Sequence, residues 1–253
     1  MALRFSNAAR LAMSETLSAA ALYRLLAFLS PGFPVGAFTY SHGLEQVIDD
    51  GGVHDAATLQ AWLADILCLG AGRTDAILLK EAHAAARRGD ASTLVDLVDL
   101  GLALQPSKER HLESSAQGTA FVDAIGKAWR PGTDTPVGAL FARLAGPAAP
   151  DAPRLWPYPV AVGLVAAACA IPLAAALTGF LHAFSANAVS AAVRAVPLGQ
   201  SDGQRVLAGL EPVVADVAAQ ALAAGLDDLG SCVFLADIAS MAHETQYTRL
   251  FRS

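Results

Sequence analysis

Charge is what this sequence has least of. Only 16% of its 253 residues are Asp, Glu, Lys or Arg, and none of the four occurs from Trp156 to Val193. Aromatic residues are also scarce, at 7%. A net charge of -6 argues against the basic face that a nucleic acid would require. The three cysteines, Cys68, Cys169 and Cys232, are odd in number, far apart and never paired as C-x-x-C. That pattern argues against a disulfide framework and points to reduced thiols in a cytoplasmic protein. No phosphate-cradling glycine pattern precedes Lys80, Lys108 or Lys127, and no G-x-G-x-x-G occurs. The six histidines never stand at i, i+4, and Tyr247 occupies the place of the second histidine after His243-Glu244. His42 and Glu45, at i, i+3, supply two ligands at most, too few for a tight metal site. No tightly bound cofactor is expected.

Apolar residues fill the space that charge leaves. They make up 54% of the chain, and the mean hydropathy is +0.43. Such a chain either enters a membrane or covers apolar surface with a partner. The uncharged stretch 156–193 tests the first reading, an Ala-rich membrane-associated helix. Pro157, Pro159 and Pro172 interrupt it, and His182, Ser185, Asn187 and Ser190 would place polar groups in lipid. Closely packed buried helices fit better, so no membrane is expected. The first residues carry Arg4 and Arg10 without a continuous apolar core, so residues 1–17 are expected to be a disordered leader rather than a secretory signal.

Helical periodicity runs through the rest. Leu22, Leu25, Leu26 and Leu29 form one stripe, ended by Pro31; Leu59, Trp62, Leu63, Ile66 and Leu67 form another. Arg73-Thr74-Asp75 is expected to open a helix ending at Arg87-Arg88-Gly89. Residues 107–129 give the most polar helix, expected to be the best solvated. Ser201 to Gln204 has capping-box spacing ahead of the stripe Val206, Leu207, Leu210, Val213, Val214 and Val217. No stretch alternates as a strand does. The sequence therefore predicts an all-α, single-domain helical bundle of roughly eight to ten helices over residues 18–253.

Two segments concentrate chemistry. The stretch from Ser30 to Glu45, SPGFPVGAFTYSHGLE, mixes rigid prolines, permissive glycines and aromatics with Tyr40, Ser41, His42 and Glu45. It reads as a shaped, partly buried corner between helices, either forming a binding surface or holding the core. Thr39 to Gly43 resembles the nucleophile elbow G-x-S-x-G without its first glycine, with Asp227 and His243 following in hydrolase order. A serine hydrolase using Ser41 is thus an alternative, although a helix precedes the serine where a strand is required. The second segment, 237–253, sets Ile238, Met241, Tyr247, Leu250 and Phe251 among His243, Glu244, Gln246, Arg249 and Arg252. It is either a last helix closing the core or an anchor for a partner's groove.

Four motifs together resemble one family. They are the corner, Tyr158-Pro-Val-Ala-Val-Gly163, Val193-Arg-Ala-Val-Pro-Leu-Gly-Gln200, and the closing ASMAHETQYTRLFRS from Ala239. Their order and spread resemble the urease accessory protein UreF. The resemblance implies an all-helical, non-catalytic scaffold, often dimeric, for inserting nickel into apo-urease. In that family the scaffold joins UreD (also called UreH) and recruits the GTPase UreG, with nickel in transit through the complex. Carried over by position, partner-binding residues would be Tyr40, Ser41, His42, Glu45, Arg194, Gln200, His243, Glu244, Gln246, Tyr247, Arg249, Phe251 and Arg252. Ala242 departs from the family pattern, standing where members commonly carry arginine.

Overall fold

The computed structural model describes residues 16–146, 149 and 153–252. Among them are eleven α-helices, two short 3₁₀ turns and no strand. The all-α expectation is met. The leader expected over residues 1–17 lies outside the described residues except for Thr16 and Leu17, and Leu17 packs on the core.

The helices are α1 (Ala19–Phe28), α2 (Leu44–Asp49), α3 (Ala56–Leu69), α4 (Ala71–Arg88), α5 (Ala91–Ala103) and α6 (Lys108–Ala128). They continue with α7 (Pro136–Leu144), α8 (Tyr158–Ala168), α9 (Leu173–Ala195), α10 (Gln200–Ala223) and α11 (Phe234–His243). All share one apolar core. Its axis is α8, in which every residue from Pro159 to Ala166 is buried. Around α8 pack α4, α6, α5 and α9, while α10 lies against α3, α4 and α9. Gly163 permits the crossing of α8 and α4, because a Cβ there would run into the Leu79 carbonyl. The Ala-rich, uncharged segment is thus the centre of the bundle.

Two helices, Leu173–Ala195 and Gln200–Ala223, are long and apolar enough to cross a membrane by length and composition. Each turns a face into the bundle: Leu177, Phe180 and Leu181 on one, Leu210, Val214 and Val217 on the other. That second face matches the expected stripe. The helix starts at Gln200, however, one residue before the expected cap, and Asp202 accepts from the Gly199 amide at 3.0 Å.

Three other expectations need correction. In α1 the buried residues are Ala21 and Phe28, whereas Leu22 and Leu26 are exposed beside Tyr23. Apart from Arg24 this helix is apolar all round, so periodicity alone cannot choose its inner face. Aromatic packing does: Phe28 meets Phe33, Phe121 and Trp129 edge-on at ring separations of 5.3–6.2 Å. Secondly, α4 begins at Ala71, so Asp75 is a buried residue of its second turn rather than part of its start. Thirdly, the polar helix α6 is not the best solvated. Its residues Glu109, Arg110, Glu113, Ser114 and Gln117 are all buried, because the corner and the tail close over them with matching polar groups.

Candidate functional site

The corner, the first turns of α6 and the chain after α11 converge on one another. Within the corner, the amides of Phe33 and Tyr40 donate to Ser30 and Ala37, which closes it into successive tight turns. Phe33, Val35 and Tyr40 point inward. Ser41 accepts from the Glu45 amide at 3.4 Å, and α2 starts behind Gly43. Gly43 has a left-handed φ of 74°, and a Cβ there would strike the Ser240 backbone. Glycine therefore lets α11 approach. Where they meet, Ser107 and Ser240 share a hydrogen bond of 2.5 Å between their hydroxyls.

Glu45 grips the tail. Its Oε1 accepts from the Leu250 amide at 2.6 Å and its Oε2 from the Phe251 amide at 3.0 Å. The same Oε2 lies 3.0 Å from His243 Nε2, and His243 Nδ1 lies 2.7 Å from Glu109 Oε2. Arg249 donates to the other Glu109 oxygen at 2.7 Å. The result is a row, Glu45–His243–Glu109–Arg249, in which carboxylates alternate with an imidazole and a guanidinium. His243 is 0% exposed, so every one of its polar atoms has to find a partner here.

The clamp extends outward. The Arg252 amide donates to the Thr39 carbonyl at 2.7 Å, and Arg194 donates to the Phe38 carbonyl at 2.9 Å. The Arg194 guanidinium also lies over the rings of Phe38 and Phe251, 3.6 and 4.5 Å from their centres. Burial raises the Tyr40 phenol above its usual pKa, and Glu113 adds to this, while a hydrogen bond to Arg252 acts in the opposite direction. Glu244 accepts from the Lys108 amide at 2.9 Å, placing an anion at the amino end of α6, where the helix dipole favours it. Gln246 reaches Asp49 with its amide nitrogen, at the end of α2.

Beneath this lies a second polar group. His42 donates from Nε2 to Glu113 at 3.1 Å and accepts at Nδ1 from Arg110, while its ring packs on Phe184. Burial, with help from Arg110, holds His42 down to about 3, so it stays neutral. Arg110 also donates to Glu113, and Gln117 donates to it at 3.0 Å. These groups end a cavity of about 180 Å³ between the corner, α6 and α9. Asp75 of α4 also lines it. Burial pushes the Asp75 carboxyl up to about 7, against the pull of Arg110.

Among the proposed site residues, Tyr40, Ser41, Glu45, His243 and Phe251 are thus buried and bind the chain to itself. Arg194, Tyr247, Arg249 and Arg252 are exposed, and Gln200 starts α10 on the surface, outside the contacts described above. Sequence reasoning missed Asp75, Glu109, Arg110, Glu113 and Gln117. The available signal was a polar stripe: Glu109, Glu113 and Gln117 recur at i, i+4, i+8 in a chain poor in charge. The hydrolase alternative fails on geometry. Both His243 nitrogens are occupied by carboxylates, and Ser41 follows a 3₁₀ turn rather than a strand.

Comparison with known proteins agrees with the four motifs. The family model for UreF matches residues 53–211. The chain is 55% identical over 235 residues to the urease accessory protein UreF of Rhodopseudomonas palustris strain BisA53, covering 93% of this chain and 94% of that one. The chain belongs to the UreF family. The same name is carried by a protein of Bradyrhizobium diazoefficiens, 50% identical over 98% of this chain and 96% of its own length. A Methylobacterium protein, strain 4-46, is 52% identical over 90% of this chain and 87% of its own. UreF proteins are accessory proteins and not enzymes, which fits a site whose polar atoms are spent on holding the tail.

Proposed function

We propose that this chain is a urease maturation scaffold of the cytoplasm, acting as a homodimer that joins UreD (UreH) and recruits the GTPase UreG to apo-urease. Nickel is the cargo of that assembly. Among the described residues no group of three or more His, Cys, Asp or Glu is placed to hold a metal ion.

One observation carries the reading. Helix α11 turns its small residues inward, Ala236, Ala239 and Ser240, and its large apolar residues outward. Phe234, Leu235, Ile238 and Met241 are 48–74% exposed, and the exposed Tyr247 and Leu250 lie farther along the same segment. A terminal helix that merely closed a core would have the opposite polarity. Such a surface is characteristic of a partner-binding face. The buried clamp beneath it fixes the tail's path, so the face is formed before the partner arrives and little ordering entropy remains to be lost. We assign this face to UreD (UreH), with Arg252 and the exposed edge of the tail left for UreG.

The test is co-elution. Ile238→Ser with Met241→Ser should abolish co-elution with UreD and prevent urease activation, while melting temperature stays within a few degrees of wild type. Wild-type complex formation by that variant would overturn the assignment.

A further inference from the structure

The cavity beneath the corner is not needed by the tail clamp, and one of its walls is chemically incomplete. Asp75 is 8% exposed, yet its carboxylate accepts no hydrogen bond and forms no ion pair among the described residues. Asp75 lines the cavity. Nearby, Glu113 is occupied by His42, Arg110 and Gln117, and Arg110 is occupied by Glu113 and His42. Arg110 thus leaves Asp75 unpaired. Tyr158 also lines the cavity, and its buried hydroxyl has no hydrogen-bond partner among the described residues.

A buried carboxylate without a donor is costly, and native chains rarely tolerate one. With His42 neutral, the polar end holds two carboxylates, Asp75 and Glu113, against one guanidinium, Arg110. Once Asp75 is ionised, the excess charge among these three groups is negative. The remaining walls set apolar and aromatic side chains, including Val35, Phe180 and Phe184, beside a few polar ones, Ser30, Ser114, His182, Asn187 and Ser190. Negative charge beside aromatic faces suits a cation carried on an apolar body, attracted by the carboxylate and by the ring faces together. A volume of about 180 Å³ limits it to a small group.

We propose that this cavity is a binding site for a small organic monocation, an ammonium or amidinium/guanidinium group on an apolar stem, with Asp75 as its counter-ion and Tyr158 as an accessory hydrogen-bonding partner. The shared chemistry admits two sources: a free amine, or an Arg side chain offered by another protein.

Calorimetric titration of the full chain tests this, with benzamidine as probe and benzamide and benzoate as neutral and anionic analogues of the same shape. Benzamidine should bind saturably, and both analogues should bind at least about tenfold more weakly, as loss of a charge-assisted hydrogen bond implies. Asp75→Asn should weaken benzamidine by at least about tenfold while the protein melts at or above the wild-type temperature. N-acetyl-arginine amide binding more tightly than benzamidine would identify a side-chain source, and the reverse order a free amine. Absence of saturable benzamidine binding, equal binding of benzoate, or unaltered binding by Asp75→Asn would each overturn the proposal.

Discussion

Two buried carboxylates, one in the tail clamp and one in the cavity wall, behave in opposite ways. Glu45 is 5% exposed and meets three donors: two tail amides and the His243 ring. Asp75 is 8% exposed and meets none. The first therefore holds a structure together, since a charged acceptor with several donors makes hydrogen bonds about twice as strong as neutral ones. The second weakens the fold as it ionises. Equal burial says little about what a charge does; the donors around it decide.

The largest expected effect comes from removing the satisfied member. Glu45→Ala leaves two amides and a buried imidazole without their acceptor, a class of change that costs about 3–5 kcal/mol. The chain should melt much lower and trypsin should cut faster after Arg249. Wild-type melting with wild-type cleavage would place the tail's stability elsewhere, in Phe251 alone.

The unsatisfied member should respond in the other direction, and only at higher pH. Asp75 has a folded-state value raised to about 7 from 3.8, with Arg110 and Glu113 the charged groups acting on it and neutral His42 beside them. Between those values the folded chain keeps a proton that the unfolded chain releases, so stability falls as pH rises. The penalty is complete above about 7 and absent below about 4. Asp75→Asn removes it. The variant should match wild type at acid pH and exceed it at pH near 8, by at most roughly 4 kcal/mol. A pH-independent difference in denaturant titrations would show that Asp75 has a donor after all.

The same comparison explains how far the sequence could be read. Helical class, the single core and the corner follow from local rules: stripes at 3.6-residue spacing, prolines that end helices, and glycines at turns. The central place of α8 was legible too, because an uncharged Ala-rich segment interrupted by proline fits a bundle core. The polar interior was not. Glu109 and Glu113 sit on a helix that looks solvated, and the partners that let Glu109 be buried, His243 and Arg249, lie more than 130 positions away. Side-chain satisfaction is a long-range property, and periodicity cannot register it. The inverted face of α11 failed to register for a related reason. Ile238 and Met241 have helical spacing whether they face a core or a partner, and it took Gly43 against Ser240 to show which side was inward.

The smallest effect tests whether the tail is held by charge alone. Arg194 spans Phe38 and Phe251 with its guanidinium, and Phe251 is the last buried apolar residue of the described chain. Phe251→Leu keeps an apolar side chain under Arg194 but removes the ring, and Arg194→Met keeps the stem but removes the charge. In a double-mutant cycle the pair should show a coupling of about 0.5–1 kcal/mol, the range for a cation over an aromatic face near the surface. The coupling should vanish in Glu45→Ala, because a released tail no longer brings Phe251 beneath the guanidinium. If it survives, the ring contact positions the tail independently of the carboxylate, and Glu45 is then one of two fasteners rather than the one on which the other depends.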